Sequence, residues 1–204
     1  MSIDTIIFDL GGVLIDWNPR YLYRKMFPNE EEMEWFLTNV CHSEWNDEQD
    51  AGRLFEEAIQ ERIKKFPKFQ REIEAYYTRW DEMLGGEIHE NVRVLKELKA
   101  QNEIDLYALT NWSHQTFPTA LDNYDFLNLF RGIVMSGEEK LKKPDLAIYL
   151  VMIERYEIEP ENTIFIDDSL PNIEAAKDLG FKTIHFKEPG TLMSEINSII
   201  GMSA

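Results

Sequence analysis

The chain has 204 residues, with 38 Asp and Glu against 21 Lys and Arg and a formal net charge of −17. That length is enough for one ordinary domain, or a domain with a modest insert, around a real hydrophobic core, and the lone cysteine, Cys41, excludes a disulfide-stapled scaffold. The charge opposes the phosphate backbone of nucleic acids and anionic membrane surfaces, so neither is expected as a partner. The opening Met-Ser-Ile-Asp-Thr has neither the basic nor the apolar region of a secretory signal. The longest apolar run, which includes Ala147 to Ile153, falls far short of the roughly 20 residues of a membrane span. A soluble, cytoplasmic protein is therefore expected. An anionic substrate would need a metal ion or local cations to overcome the field of the chain.

In chain order, the first element is the apolar run Thr5-Ile6-Ile7-Phe8, followed by Asp9-Leu10-Gly11-Gly12. From about Trp17 to Gly85 the texture is helical and aromatic-rich, with no strand expected. Within it, Asn29 and Glu32 form a capping-box-like start for a helix from Glu30 to Val40, and Gly52 and Pro67 punctuate later helices. The pair Gly85-Gly86 reads as the hinge back. Asn91 to Ala100 then places Val92, Leu95 and Leu98 on one helical stripe. Short apolar runs follow at Leu106 to Leu109, Gly132 to Met135 and Thr163 to Ile166, with a weaker one at Thr183 to Phe186. A helix from Asn172 to Leu179 starts beside Pro171 and stops at Gly180. Strands without polar alternation, separated by helices, are the pattern of a parallel α/β sheet buried on both faces. The expected architecture is a Rossmann-like parallel sheet with helices on both faces, formed by residues 1–16 and 86–204, with residues 17–85 as an inserted helical cap.

The residues after the strands carry the chemistry. Asp9 follows the first strand, Thr110-Asn111 the second, Lys143-Pro144 lies beyond the third, and Asp167-Asp168 follows the fourth. Ligands of open parallel sheets bind outside the carboxyl ends of the strands, so these residues should converge. Three carboxylates, a hydroxyl and an ammonium would then share one pocket. Carboxylate oxygens suit Mg²⁺, whose shell is often completed by substrate phosphate, while lysine and backbone N–H groups can hold other phosphate oxygens. A carboxylate can also attack phosphorus, and Asp9 is the candidate nucleophile.

These four motifs, in this order, resemble those of the haloacid dehalogenase superfamily, and the segment after the first resembles that superfamily's small α-helical cap. The strings Phe8-Asp9-Leu10-Gly11-Gly12-Val13-Leu14, Leu109-Thr110-Asn111 and Phe165-Ile166-Asp167-Asp168 are similar to its α-D-glucose-1-phosphate phosphatase-like subgroup. The resemblance implies a Mg²⁺-dependent phosphatase acting on a small phosphorylated metabolite, such as a sugar phosphate, through an aspartyl-phosphate. It further implies Asp9 as nucleophile and metal ligand, the Gly11 carbonyl and Asp168 as ligands, and Asp167 acting through a water. Thr110 and Asn111 would orient the phosphoryl group and Lys143 would neutralise it.

One position departs from the pattern. Most phosphatases of the superfamily carry a second Asp two residues after the nucleophile, as general acid, where this chain has Gly11. General acid help is worth about 10²- to 10⁴-fold, so the loss bites hardest on poor leaving groups. Asp16 and His114 are possible replacements. Trp17, Trp35, Trp45 and Trp80 are expected mainly in the helical core, Arg20, Asn46 and Arg53 are conceivable substrate contacts, and Cys41 is expected to be an inert packing residue. A 2-haloacid dehalogenase on the same fold and a non-catalytic binding protein are the alternative readings.

Overall fold

The computed structural model describes residues 2–203, with side chains described to residue 201. Seven strands occur among them: β1 Thr5–Phe8, β2 Ile15–Trp17, β3 Leu84–Glu87, β4 Asp105–Thr110, β5 Gly132–Met135, β6 Thr163–Asp167 and β7 Lys182–His185. Five form one sheet in the order β5-β4-β1-β6-β7, and each neighbouring pair is parallel. The expected α/β fold is thus present, and its four strongest strands lie where the apolar runs placed them.

Alternation along β1 explains why its run is apolar throughout. Ile6 and Phe8 face one side of the sheet, where Leu106, Ala108, Ile164 and Ile166 pack with Val92, Leu95 and Leu98 of the helix His89–Gln101. Ile7 faces the other side with Tyr107, Leu109, Val134 and Phe165, against Ile148, Tyr149 and Met152 of the helix Leu146–Tyr156. Both faces exclude water, so neither could carry polar residues at low cost.

The helical segment contains Arg20–Tyr23, Glu30–Asn39, Ser43–Asp50, Phe55–Lys65 and Gln70–Thr78. At its capping box, the Asn29 side chain accepts the Glu32 N–H at 2.9 Å and donates to the Glu32 carboxylate at 2.9 Å. Its core is aromatic, with ring centroids 5.0 Å apart for Tyr23 and Phe36 and 5.5 Å for Phe36 and Phe69. This core is continuous with one face of the sheet through Val13, Leu14 and Ile15.

One expectation needs correction. Strands do occur at the ends of this segment: β2 and β3 pair antiparallel, with Asp16 opposite Gly86 and Trp17 opposite Leu84. Gly85-Gly86 belongs to this ribbon and is not a free hinge. A Cβ at Gly85 would collide with the Asp16 carboxyl and the Tyr21 ring, and Gly86 has φ +107°, which favours glycine. The three-residue β2 is too short to register as a periodic apolar run.

Asn91 anchors the ribbon's far side. It is fully buried, and its side-chain N–H donates to the Val13 carbonyl at 2.7 Å, joining the helix His89–Gln101 to the loop after β1. Asn91→Ala should cost about 1–3 kcal/mol by leaving that carbonyl unpaired, read as a lower urea midpoint at unchanged slope.

Candidate active site

Strand register builds the site. Phe8 is aligned with Ala108 on one side and Ile166 on the other, so the next row across the sheet holds Leu109, Asp9 and Asp167. Lys143, from the segment after β5, reaches this row with its ammonium group. Its Nζ lies 2.8 Å from the Leu109 carbonyl, 2.6 Å from Asp167 Oδ2 and 2.9 Å from Asp9 Oδ1. Three donors meet three acceptors, in a place that excludes water from the lysine side chain. Burial by itself would lower the lysine pKa, but Asp167 and Asp9 outweigh it and hold the group above its ordinary value.

Asp167 is the most heavily committed carboxyl of the three. Its Oδ1 accepts from the Ser169 N–H at 2.8 Å and from Asn172 Nδ2 at 3.0 Å, while Oδ2 takes Lys143. The Asn111 side chain is committed too, accepting the Lys143 N–H at 2.9 Å and donating to the Lys143 carbonyl at 3.0 Å. It lines the cavity, but its amide positions the lysine. Thr110 differs: its hydroxyl is buried and has no partner among the described residues.

The loop after β1 shapes the floor. Asp9 Oδ1 also accepts the Leu10 N–H at 2.8 Å. Gly12 adopts φ +74°, and a Cβ there would run into the Asp168 carboxyl group, so the loop needs glycine on two counts. At Gly11, by contrast, a Cβ would meet nothing within 4 Å.

Oxygen atoms of Asp9, Asp167 and Asp168 lie within 4.8 Å of one another. Burial pushes the Asp9 pKa up to about 7, against Lys143 and with Asp167 and Asp168. Burial and then Asp167 raise Asp168 as well. Three carboxyl groups against one ammonium leave the cluster short of positive charge, and the donors are the hard oxygens that Mg²⁺ prefers. The residues present therefore fit a divalent cation, with Asp9 and Asp168 as the less committed carboxyls.

Above this floor is a cavity of about 260 Å³. Asp9, Gly11, Gly12, Asn111, Trp112 and Asp168 line it from the strand ends, and Trp17, Ser43, Asn46, Asp47, Asp50 and Trp80 complete it. The helix Ser43–Asp50 is tied over it by Lys142 donating to Asp47 at 3.1 Å and by the Ser136 hydroxyl donating to the Asp50 carbonyl. Most of this wall escaped the sequence reading, which named Asn46 and treated the tryptophans as core. The signal was present: Ser43, Asn46, Asp47 and Asp50 follow i, i+3, i+4, i+7 and share one face, with Trp45 and Gln49 buried on the other.

The remaining tryptophans divide. Trp45 is buried in T-shaped contact with Tyr76, centroids 5.3 Å apart, whereas Trp35 is 46 % exposed beside Phe69. Arg20 is held by Glu34 at 2.5 and 2.6 Å, and Arg53 by Glu48 and Glu61, and neither lines the cavity. Asp16 and His114 do not line it either. Asp16 accepts the Tyr21 hydroxyl at 2.6 Å and borders a different depression, and His114 Nδ1 is buried without a partner. Burial raises the Cys41 thiol pKa, which keeps it unreactive.

Comparison with known proteins accords with this geometry. The chain is 26 % identical over 208 residues to drimenol cyclase drtB of Aspergillus calidoustus, covering 99 % of this chain but 37 % of that one. It thus spans little more than a third of that relative. It is 26 % identical to the sesquiterpene phosphatase astK of Aspergillus oryzae, covering 98 % of each, and 28 % identical to a phosphorylated carbohydrates phosphatase of Thermotoga maritima, covering 90 % and 84 %. Among solved structures, a HAD family enzyme of Bacteroides thetaiotaomicron, in complex with magnesium and inorganic phosphate, superposes with TM-score 0.69 at 25 % identity over 93 % of this chain and 96 % of that one. The haloacid dehalogenase-like hydrolase family model matches residues 3–180, and the chain belongs to that family of enzymes.

Proposed function

We propose that this hydrolase is a Mg²⁺-dependent phosphatase acting on a small, hydroxyl-bearing phosphate monoester, such as a sugar phosphate. The observation that carries the reading is the Lys143 junction with Asp9 and Asp167, next to a cavity that Asp9 and Asp168 line, with the Thr110 hydroxyl at the end of β4 buried and without a partner among the described residues. Such a floor suits a phosphoryl group.

In this reading residues 1–16 and 86–204 form the catalytic core and residues 17–85 the cap. The Asp9 carboxylate attacks phosphorus in line and forms an aspartyl-phosphate, which water then hydrolyses. Lys143 holds Asp9 in place and offsets charge, the Thr110 hydroxyl donates to a phosphoryl oxygen, and Asn111 fixes the lysine backbone. Mg²⁺ would be held by Asp9, Asp168 and the Gly11 carbonyl, with Asp167 behind a water, and supplies charge stabilisation for the phosphoryl oxygens. The cap excludes bulk water.

Substrate size and polarity follow from the cavity wall. About 260 Å³ is below the usual range for drug-sized ligands, which favours a compact metabolite. Asn46, Asp47 and Asp50 would lose hydration against a terpene without replacement, whereas sugar hydroxyls can pair with them and present C–H faces to Trp17, Trp80 and Trp112. The relatives named as acting on a sesquiterpene and on carbohydrates support the phosphatase chemistry in common. The acidic surface disfavours nucleic-acid and membrane partners.

Phosphate release from a panel of sugar, acyl and aryl phosphates should depend on Mg²⁺ and stop with EDTA. Asp9→Asn should reduce turnover to background while the circular dichroism spectrum stays native; full activity in that variant would refute covalent catalysis. Asp168→Ala should raise the Mg²⁺ concentration for half-maximal rate by about 10- to 100-fold or more, and an unchanged titration would remove Asp168 from the ligand set. Metal-independent halide release from 2-chloropropionate, with no phosphate release, would favour dehalogenation instead.

A further inference from the structure

Gly11 leaves the core wall of the site without a proton donor at the position where the superfamily pattern puts one, and the two replacements suggested by sequence do not line the cavity. A donor must then come from another wall. In-line displacement sends the leaving oxygen to the side of phosphorus away from Asp9, towards whatever covers the strand ends. That cover is the helix Ser43–Asp50, two of whose acidic residues, Asp47 and Asp50, line the cavity. Asp47 is already engaged in a salt bridge with Lys142 at 3.1 Å. Asp50 has different company: its Oδ2 accepts from Asn46 Nδ2 at 2.8 Å.

We propose that Asp50 is the general acid of this enzyme, supplied by the helical segment in place of the acid missing at Gly11. The inference rests on the phosphatase reading above and names the group that completes its chemistry.

Three features keep Asp50 protonated often enough for the task. It is the last residue of its helix, at the negative end of the helix dipole, which disfavours an anion. Among the described residues no lysine or arginine forms an ion pair with it, although Lys142 is near enough to oppose the effect of Asp47. Burial, with Asp47 adding to it, pushes its pKa up to about 7, against Lys142, the Ser113 N–H and Asn46. A group with that pKa gives and takes protons near neutral pH.

An Asp9 oxygen bonds to phosphorus while the bond from phosphorus to the leaving oxygen breaks, and that oxygen keeps the electron pair, takes the Asp50 proton and departs as an alcohol. A water oxygen then bonds to phosphorus, the Asp9 oxygen recovers its pair as carboxylate, and the proton released by the water returns to Asp50. Backbone fixation suits the role. The Asp50 carbonyl accepts the Ser136 hydroxyl, and Gly52 at φ +97° packs against the Gly137 carbonyl, so the acid's main chain is clamped to the core.

The test is kcat/KM for a series of phosphate monoesters running from 4-nitrophenyl phosphate through phenyl phosphate to sugar and simple alkyl phosphates. It compares the natural chain with Asp50→Asn at saturating Mg²⁺. This parameter reports the steps up to departure of the leaving group. Asp50→Asn should lose about 10²- to 10⁴-fold on alkyl phosphates and far less on 4-nitrophenyl phosphate, so the plot against leaving-group pKa steepens. Adding Gly11→Asp to Asp50→Asn should recover part of the loss on alkyl phosphates, because the space beside Gly11 is open. Asp50→Ser serves as the second variant should Asp50→Asn fail to fold. An equal loss on every leaving group, or no loss, would overturn the assignment of Asp50 while leaving the phosphatase reading intact. A natural chain that releases phosphate from none of the series overturns both.

Discussion

The site depends on one ammonium group buried beneath three strand ends. Lys143 Nζ joins the Leu109 carbonyl of β4, Asp9 after β1 and Asp167 of β6, and its backbone is clamped by Asn111. Parallel strands all aim their carboxyl ends at one edge of the sheet, so acidic residues there are forced together whether or not their charges agree. Without the lysine, Asp9 and Asp167 would be adjacent uncompensated groups, and breaking a buried pair of this kind costs about 3–5 kcal/mol. The same ammonium that makes the acidic cluster tolerable also fixes the orientation of Asp9.

The compensation is incomplete, and that gives the site its character. Asp167 is consumed by Lys143, Asn172 and Ser169, so it anchors the arrangement. Asp9 and Asp168 are left with raised pKa values in a chain of net charge −17. A cation held here would offset the excess acidic charge and favour an anion above it. The fold and the proposed chemistry therefore meet in a single electrostatic constraint.

The helical segment answers a different requirement. Its aromatic core runs without a break into one face of the sheet, and the β2–β3 ribbon ties both of its ends together. That rigidity lets a short helix hold the polar face of Ser43, Asn46, Asp47 and Asp50 over the strand ends, with Trp17, Trp80 and Trp112 beside it. In the proposed reaction the floor would take the phosphoryl group and the wall the remainder of the substrate.

The parallel sheet and its order of motifs were legible in the residues because buried strands are continuous apolar runs and because Asp9, Thr110, Lys143, Asp167 and Asp168 each stand at or beyond the end of one. Local rules sufficed for the Asn29 cap and for the stripe Val92, Leu95 and Leu98. The ribbon was not legible, since β2 has three residues and β3 carries two glycines, Gly85 for a close approach to Asp16 and Gly86 for its positive φ. Nor was the assignment of partners: Asn111 to the lysine backbone, Asp16 away from the cavity, Asp50 into it. Chain periodicity records which face of an element is apolar, a property of neighbours a few residues apart. Which polar face meets which strand end depends on contacts between residues as distant as Asp47 and Lys142, and only the packed tertiary structure decides those.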